Sequence, residues 1–175
     1  MKRGIKLLYG KGIYKMRLLN HLTEKWIFPD DKTLKADFSE YKKKEDYKWQ
    51  RRAEQIGARF PIFTDFDDFK TRLKKARVVN LTLQIDNQIT NRSHCSSIES
   101  LKSLVSTYKR PRNVQKIQQG IMGDDKLPMP IVLKGTRGLW ILAGNTRLDV
   151  AFLLGDKPKV LMIDVSQEDF GNGFN

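Results

Sequence analysis

The sequence predicts an α+β fold: a compact domain with a mixed sheet over residues 78–168, preceded by a basic, mainly helical extension over residues 1–77. Three observations predict it. From Val78 onward, short β-branched and apolar runs are bounded by Gly and Pro, which marks strands. Stretches with apolar residues at helical spacing lie between those runs. Finally, charge is uneven: residues 1–80 hold 21 basic and 11 acidic side chains, whereas residues 81–175 hold 12 and 9.

Taken in order, residues 32–58 have helical composition and end beside Gly57, a helix stop, so one long helix is expected there. Its Leu34, Phe38, Tyr41, Tyr47 and Trp49 alternate with Lys42, Lys43, Lys44, Lys48, Arg51 and Arg52. Such mixing could lay cations along a phosphate backbone and stack rings on bases. For any single aromatic, the buried face of an amphipathic helix is favoured. Thr64-Asp65 caps the next helix, which carries acids in its first turn and bases at its end, as the helix dipole prefers. Residues 78–85 read as a half-buried strand with Val79, Leu81, Leu83 and Ile85 on one side.

Ser96-Ser97 opens a helix running to Thr107, with Ile98, Leu101, Leu104 and Val105 on one face. Pro111 breaks it, and a second helix follows to Ile121. Ile131–Leu133 and Leu139–Leu142 form a hairpin around Gly135-Thr136-Arg137-Gly138. A helix starts at Gly144, faces inward through Leu148, Ala151, Phe152 and Leu154, and stops at Gly155. Val160–Ile163 closes the domain as a strand buried on both faces.

Composition excludes several classes. Hydrophobic residues at 39% and charged residues at 30% suit a globule with a core. No apolar run approaches the roughly 20 residues that span a bilayer. The single cysteine, Cys95, has no internal disulfide partner, and no Cys/His spacing suits zinc. A cytoplasmic protein without a membrane segment is expected. A net charge of +13, concentrated early, predicts contact with a polyanion, DNA or a nucleotide, against the plainer role of keeping the protein soluble.

The chemistry concentrates where a strand passes through Ala143-Gly144 directly into a helix. Unpaired N–H groups of a first helical turn, together with the helix dipole, favour an anion. Thr146 adds a hydroxyl, Asn145 an amide and Arg147 a planar charged fork. The alternative is a tight structural turn in which Asn145 caps the helix and Arg147 pairs with Asp149 or Asp164. From the residues alone both stand.

The run over residues 128–165 resembles the second half of the ParB/sulfiredoxin unit: a strand, a hairpin, an apolar strand ending in Gly-x-x-Arg, a helix, Leu-Gly and another strand. Gly144 and Arg147 match the Gly-x-x-Arg, and Leu154-Gly155 matches the helix end. The likeness extends loosely back to Val78 and is to the compact, solitary members found in phages and plasmids. It implies a turn, Gly144, Asn145, Thr146 and Arg147, that binds nucleotide phosphates, with ATP or CTP as cofactor. Family activities include CTP-dependent partition clamps, sulfinic-acid reductases, nucleases and free-serine kinases. Sulfiredoxins carry Gly-Cys-His-Arg, so Asn145 and Thr146 exclude that reductase chemistry. ParB proteins carry Gly-Glu-Arg-Arg, and Asn145 stands in place of the acid. Ala143 stands where free-serine kinases have an Asp.

The expected function is a nucleotide-binding protein acting on or beside DNA, as a phosphotransferase or nuclease. Its rivals are a non-catalytic DNA-binding module and a small-molecule kinase. A base would come from Asp149, Asp164, Glu99 or Asp86, and magnesium would serve phosphoryl transfer. Arg92, beyond the first strand, could meet Arg147 across the site. Lys109, Arg110 and Arg112 offer a further DNA or phosphate contact, or a solvated face. His94-Cys95 reads as a loop pair rather than a nucleophile. Self-association is left open.

Overall fold

The computed structural model describes residues 24–108 and 112–166, and there the chain is α+β with a mixed sheet. The elements run β1 (Trp26–Ile27), α1 (Asp31–Lys42), α2 (Asp46–Ile56), α3 (Phe66–Lys74), β2 (Arg77–Asn80), α4 (Leu83–Asp86), α5 (Ile98–Ser106), α6 (Val114–Met122), β3 (Leu127–Pro128), β4 (Ile131–Lys134), β5 (Leu139–Ala143), α7 (Asn145–Leu153) and β6 (Lys159–Asp164). The main sheet has the order β2-β6-β4-β5. Strand β6 runs parallel to β4 and antiparallel to β2, and β4 forms an antiparallel hairpin with β5. The β5–α7–β6 connection therefore passes over β4 and sets the start of α7 at the end of β5.

The two-residue period of the strands sorts their side chains between two layers. Ile131, Leu133, Leu161 and Ile163 belong to one buried cluster, whereas Val132, Leu139, Ile141, Val160 and Met162 join Leu148 in another. Helices α1 to α3 cover the first face. Their Leu34, Trp49, Ile56, Phe69 and Leu73 lie in the same cluster as Ile131 and Leu133. Residues of α1 to α3, which lie before the boundary expected at residue 77, thus share one core with strands that follow it. A sheet face and a set of amphipathic helices each need an apolar partner, and here they supply one another.

Two elements differ from their expected extents. The single helix expected over residues 32–58 is two, α1 and α2, with Lys43 at the end of the first and Glu45 before the second. In one straight helix Tyr41 and Trp49 would stand roughly 12 Å apart along the axis. The turn brings their ring centroids to 4.7 Å, and the indole N–H of Trp49 donates to the Tyr41 carbonyl at 2.8 Å. The strand expected to reach Ile85 stops at Asn80. Thr82 accepts from the Ile85 N–H at 3.3 Å, caps α4 and leaves Leu83 66% exposed. A short local hydroxyl–backbone bond has won over ladder pairing.

The hairpin turn uses its glycine for space. Gly135 has no positive φ, but a Cβ there would lie 1.9 Å from the Ile56 carbonyl oxygen. The turn docks on the end of α2, where the N–H groups of Thr136 and Arg137 donate to Gly57 and Ile56 carbonyls at 3.2 and 2.9 Å. These bonds satisfy the last carbonyls of that helix. Among the described residues no helix is long and apolar enough to cross a membrane.

Candidate functional site

Strand β5 ends at Ala143 and α7 begins at Asn145, with Gly144 between them at φ +90°. A Cβ at Gly144 would lie 2.8 Å from Pro130 Cβ and 2.9 Å from the Arg147 guanidinium, so both backbone and space demand glycine. Helices α1, α3, α5 and α6 are capped by the side chains of Asp30, Asp65, Ser97 and Asn113. Gly144 leaves the first-turn N–H groups of α7 without such a cap. Arg147 lies over this turn and donates to the Pro128 carbonyl at 2.8 Å. It pairs with neither Asp149 nor Asp164. Burial lowers its pKa from the ordinary arginine value, and the charge of Asp37 opposes that shift.

The turn forms one wall of a cleft of about 930 Å³. One face of α1 also lines it, where Thr33, Asp37, Glu40 and Tyr41 repeat at helical spacing. Lys43, Lys44, Trp49 and Arg52, residues 140–143 of β5, and Tyr108, Arg112 and Ile117 complete its lining with Asn91. Lys43, Lys44, Arg52, Arg112 and Arg147 face two acids, Asp37 and Glu40, so the cleft favours an anion. Glu40 is bound to Lys43 at 3.1 Å. The Arg52 guanidinium lies over both the Trp49 and Trp140 rings, at 4.8 and 5.0 Å from their centroids, a cation–π arrangement that holds its fork at the rim. Burial, with help from Arg52, lowers the pKa of Lys44.

All four residues of the expected phosphate turn line this cleft, but they do not all present free groups. The Asn145 amide is already engaged: its oxygen accepts from Arg92 and its Nδ2 donates to the Asn91 carbonyl at 3.1 Å. Arg92 does not meet Arg147 across the site. Its side chain is 2% exposed and binds Asp86 at 2.5 Å and Asp149 at 2.8 Å. Two carboxylates neutralise it in the interior, so it braces the turn from behind instead of reaching a phosphate.

The expected bases are also elsewhere. Asp149 is 5% exposed within that buried network and accepts from the Ser93 hydroxyl, and burial raises its pKa. Asp164 pairs with Lys134 at 3.6 Å. In the hairpin register Lys134 lies at the end of β4 away from Ile131 and Ala143, so Asp164 stands at the opposite sheet end from Gly144. Glu99 is exposed on the first turn of α5 and does not line the cleft.

Of the expected nucleic-acid contacts, Lys43, Lys44, Arg52 and Arg112 line the cleft. Lys42, Lys48 and Arg51 are exposed outside it, with Lys48 bound to Glu45 at 2.6 Å. Lys109 and Arg110 lie outside the described residues. Tyr41 and Trp49 are 6% and 3% exposed, so burial rather than base stacking accounts for them. Cys95 packs half-buried against the core.

Asp37 is the functional candidate that the residue patterns had not singled out. The signal was present: it sits three residues after Leu34 and four before Tyr41, on the stripe of α1 that turns inward. Among the described residues no group of three or more His, Cys, Asp or Glu could hold a metal by itself.

Comparison with family models, curated proteins and solved structures found no match to this chain. Fold and cleft together define a class: an α+β domain whose anion-favouring cleft is lined by a strand–glycine–helix turn and by residues of α1 and α2.

Proposed function

We propose that the chain binds a nucleoside triphosphate, ATP or CTP, with its phosphates on the Gly144–Arg147 turn, and acts as a phosphotransferase of the ParB/sulfiredoxin-like kind. One observation carries this reading: the uncapped start of α7, Arg147, Lys43 and Lys44 after α1, Arg52 of α2 and Arg112 line one cleft. Its volume of about 930 Å³ suits a nucleotide-sized ligand. The order hairpin, β5, Gly-x-x-Arg, α7, β6 supports the family resemblance. Phosphoryl transfer depends mainly on positioning and charge neutralisation, which such a cleft is built to supply.

The test is binding. Thermal shift with ATP, CTP and inorganic phosphate, with and without Mg²⁺, should show stabilisation by a triphosphate. Calorimetry of Arg147→Ala should show affinity weaker by roughly 10- to 150-fold, the worth of a charged hydrogen bond at about 1.5–3 kcal/mol. Unchanged affinity in a folded variant would remove Arg147 from the site. Action on DNA is a second reading, favoured by Lys42, Lys48 and Arg51, which face solvent beyond the cleft.

A further inference from the structure

Arg52 is a half-buried cation that lines the cleft and has no acceptor. The other arginines that are not exposed each donate to one: Arg72 to Asp68, Arg92 to Asp86 and Asp149, and Arg147 to the Pro128 carbonyl. Arg52 makes no hydrogen bond or ion pair among the described residues, and what holds it is the pair of rings, Trp49 and Trp140, at 4.8 and 5.0 Å. Burial lowers its pKa, with no carboxylate opposing the shift. Ring faces attract the charge but leave the N–H groups, which lie in the guanidinium plane, for other acceptors. Filling space between two rings would need only an aliphatic side chain, without a partly desolvated charge. Lys44 lines the same cleft, is exposed, and also has no ion pair among the described residues. Trp140 and Gly144 are four residues apart along β5 and its end, roughly 13 Å, so the fork and the turn are separate points of one cleft.

We propose that Arg52, clamped on Trp49 and Trp140, is the centre of a second oxyanion site in the cleft, which takes the carboxylate or phosphate group of a second ligand while the Gly144–Arg147 turn takes the first. A planar fork meets two oxygens of either group at once, and Lys44 adds charge without direction. The cleft volume of about 930 Å³ lies near the upper end of the range for small-ligand sites, which suits two bound groups. Where the turn holds a nucleotide that donates a phosphoryl group, the second ligand is the acceptor, and the acceptor is an anion. That last step rests on the phosphotransferase reading above, whereas the site itself does not.

Intrinsic fluorescence reports this site. The chain has three tryptophans, two of which hold Arg52, while Trp26 donates to Asp156 and does not line the cleft. Wild type is titrated with inorganic phosphate and with succinate, at ionic strength held constant by sodium chloride. One or both should shift the emission saturably, and the anion that does so names the group bound. Arg52→Lys keeps the charge and the stem but loses the fork, so it should weaken that affinity at least about tenfold. Arg147→Ala should leave it within about threefold, as expected of separate sites. Lys44→Gln, at an exposed position, should weaken it roughly two- to fivefold, the worth of an exposed charge pair. No saturable response of wild type to either anion would overturn the proposal. An Arg52→Lys affinity within about threefold of wild type would overturn it too, since a charged hydrogen bond is worth more than that. Should Arg52→Lys fail to fold, an unchanged response in Lys44→Gln does the same. A response abolished by Arg147→Ala would put the anion at the turn and sink the second site. None of these titrations uses a nucleotide, so failure to bind ATP or CTP would count against the phosphotransferase reading alone.

Discussion

Replacing Arg92 by alanine is the sharpest test of how the turn is braced. The guanidinium joins Asp86 and Asp149, both about 5% exposed or less, and also donates to Asn145 at the start of α7. Removing it strands two buried carboxylates. Breaking a buried ion pair by deleting one partner costs about 3–5 kcal/mol, because the remaining charge keeps its desolvation penalty. For a chain of this size that corresponds to a fall in Tm of roughly 6–20 °C.

The loss should also depend on pH. Burial already holds the Asp149 carboxyl above its ordinary range, while Ser93 and Arg92 pull it down. A raised carboxyl favours the folded state when protonated, so its contribution is present at low pH and is lost as pH rises through the folded value. Without Arg92 that value climbs further. The deficit should therefore be smallest at low pH and grow as pH rises through the folded-state value of Asp149. Urea unfolding followed by circular dichroism at several pH values measures it. Adding Asp86→Asn and Asp149→Asn to the alanine variant should recover more than half of the loss. A deficit below about 1 kcal/mol at pH 7 would show that these charges are not the brace, since even an ordinary hydrogen bond is worth that much.

Two further outcomes are expected. Gly144→Ala places a side chain at φ +90° and against Pro130, so it should cost about 1–3 kcal/mol for the backbone alone and weaken triphosphate binding. Calorimetry and thermal unfolding check this, and a variant as stable as wild type would mean the turn relaxes freely. Changing Lys42, Lys48 and Arg51 together to Gln should make the salt dependence of duplex-DNA binding shallower, by up to roughly 0.9 in log–log slope for each phosphate no longer neutralised. Nucleotide affinity should fall much less than in Arg147→Ala, because these three side chains do not line the cleft. Fluorescence anisotropy across a salt series decides it, and no DNA binding by wild type even at low salt would discard the DNA reading.

What the sequence determined by itself is what local physics writes into neighbouring residues. The hairpin around residues 135–138, the capped helix at Asp65, the Ser97 start of α5 and the Gly144 turn were all legible, because period, cap and glycine act within one or two turns of chain. Even there, Thr82 ended β2 early, since a cap and a strand compete for the same few residues. Tertiary structure alone decided which charges meet. Arg92 and Asp149 lie far apart in the chain, yet together they close a buried network, so two candidate site residues became scaffold. Tertiary structure also put residues of α1 to α3 into one core with the strands and carried Asp37 to within the electrostatic reach of Arg147. The physical reason is that desolvation and ion pairing depend on what is packed around a group in space. Spacing along a chain cannot report that, so the anion turn could be read from the sequence and the charges around it could not.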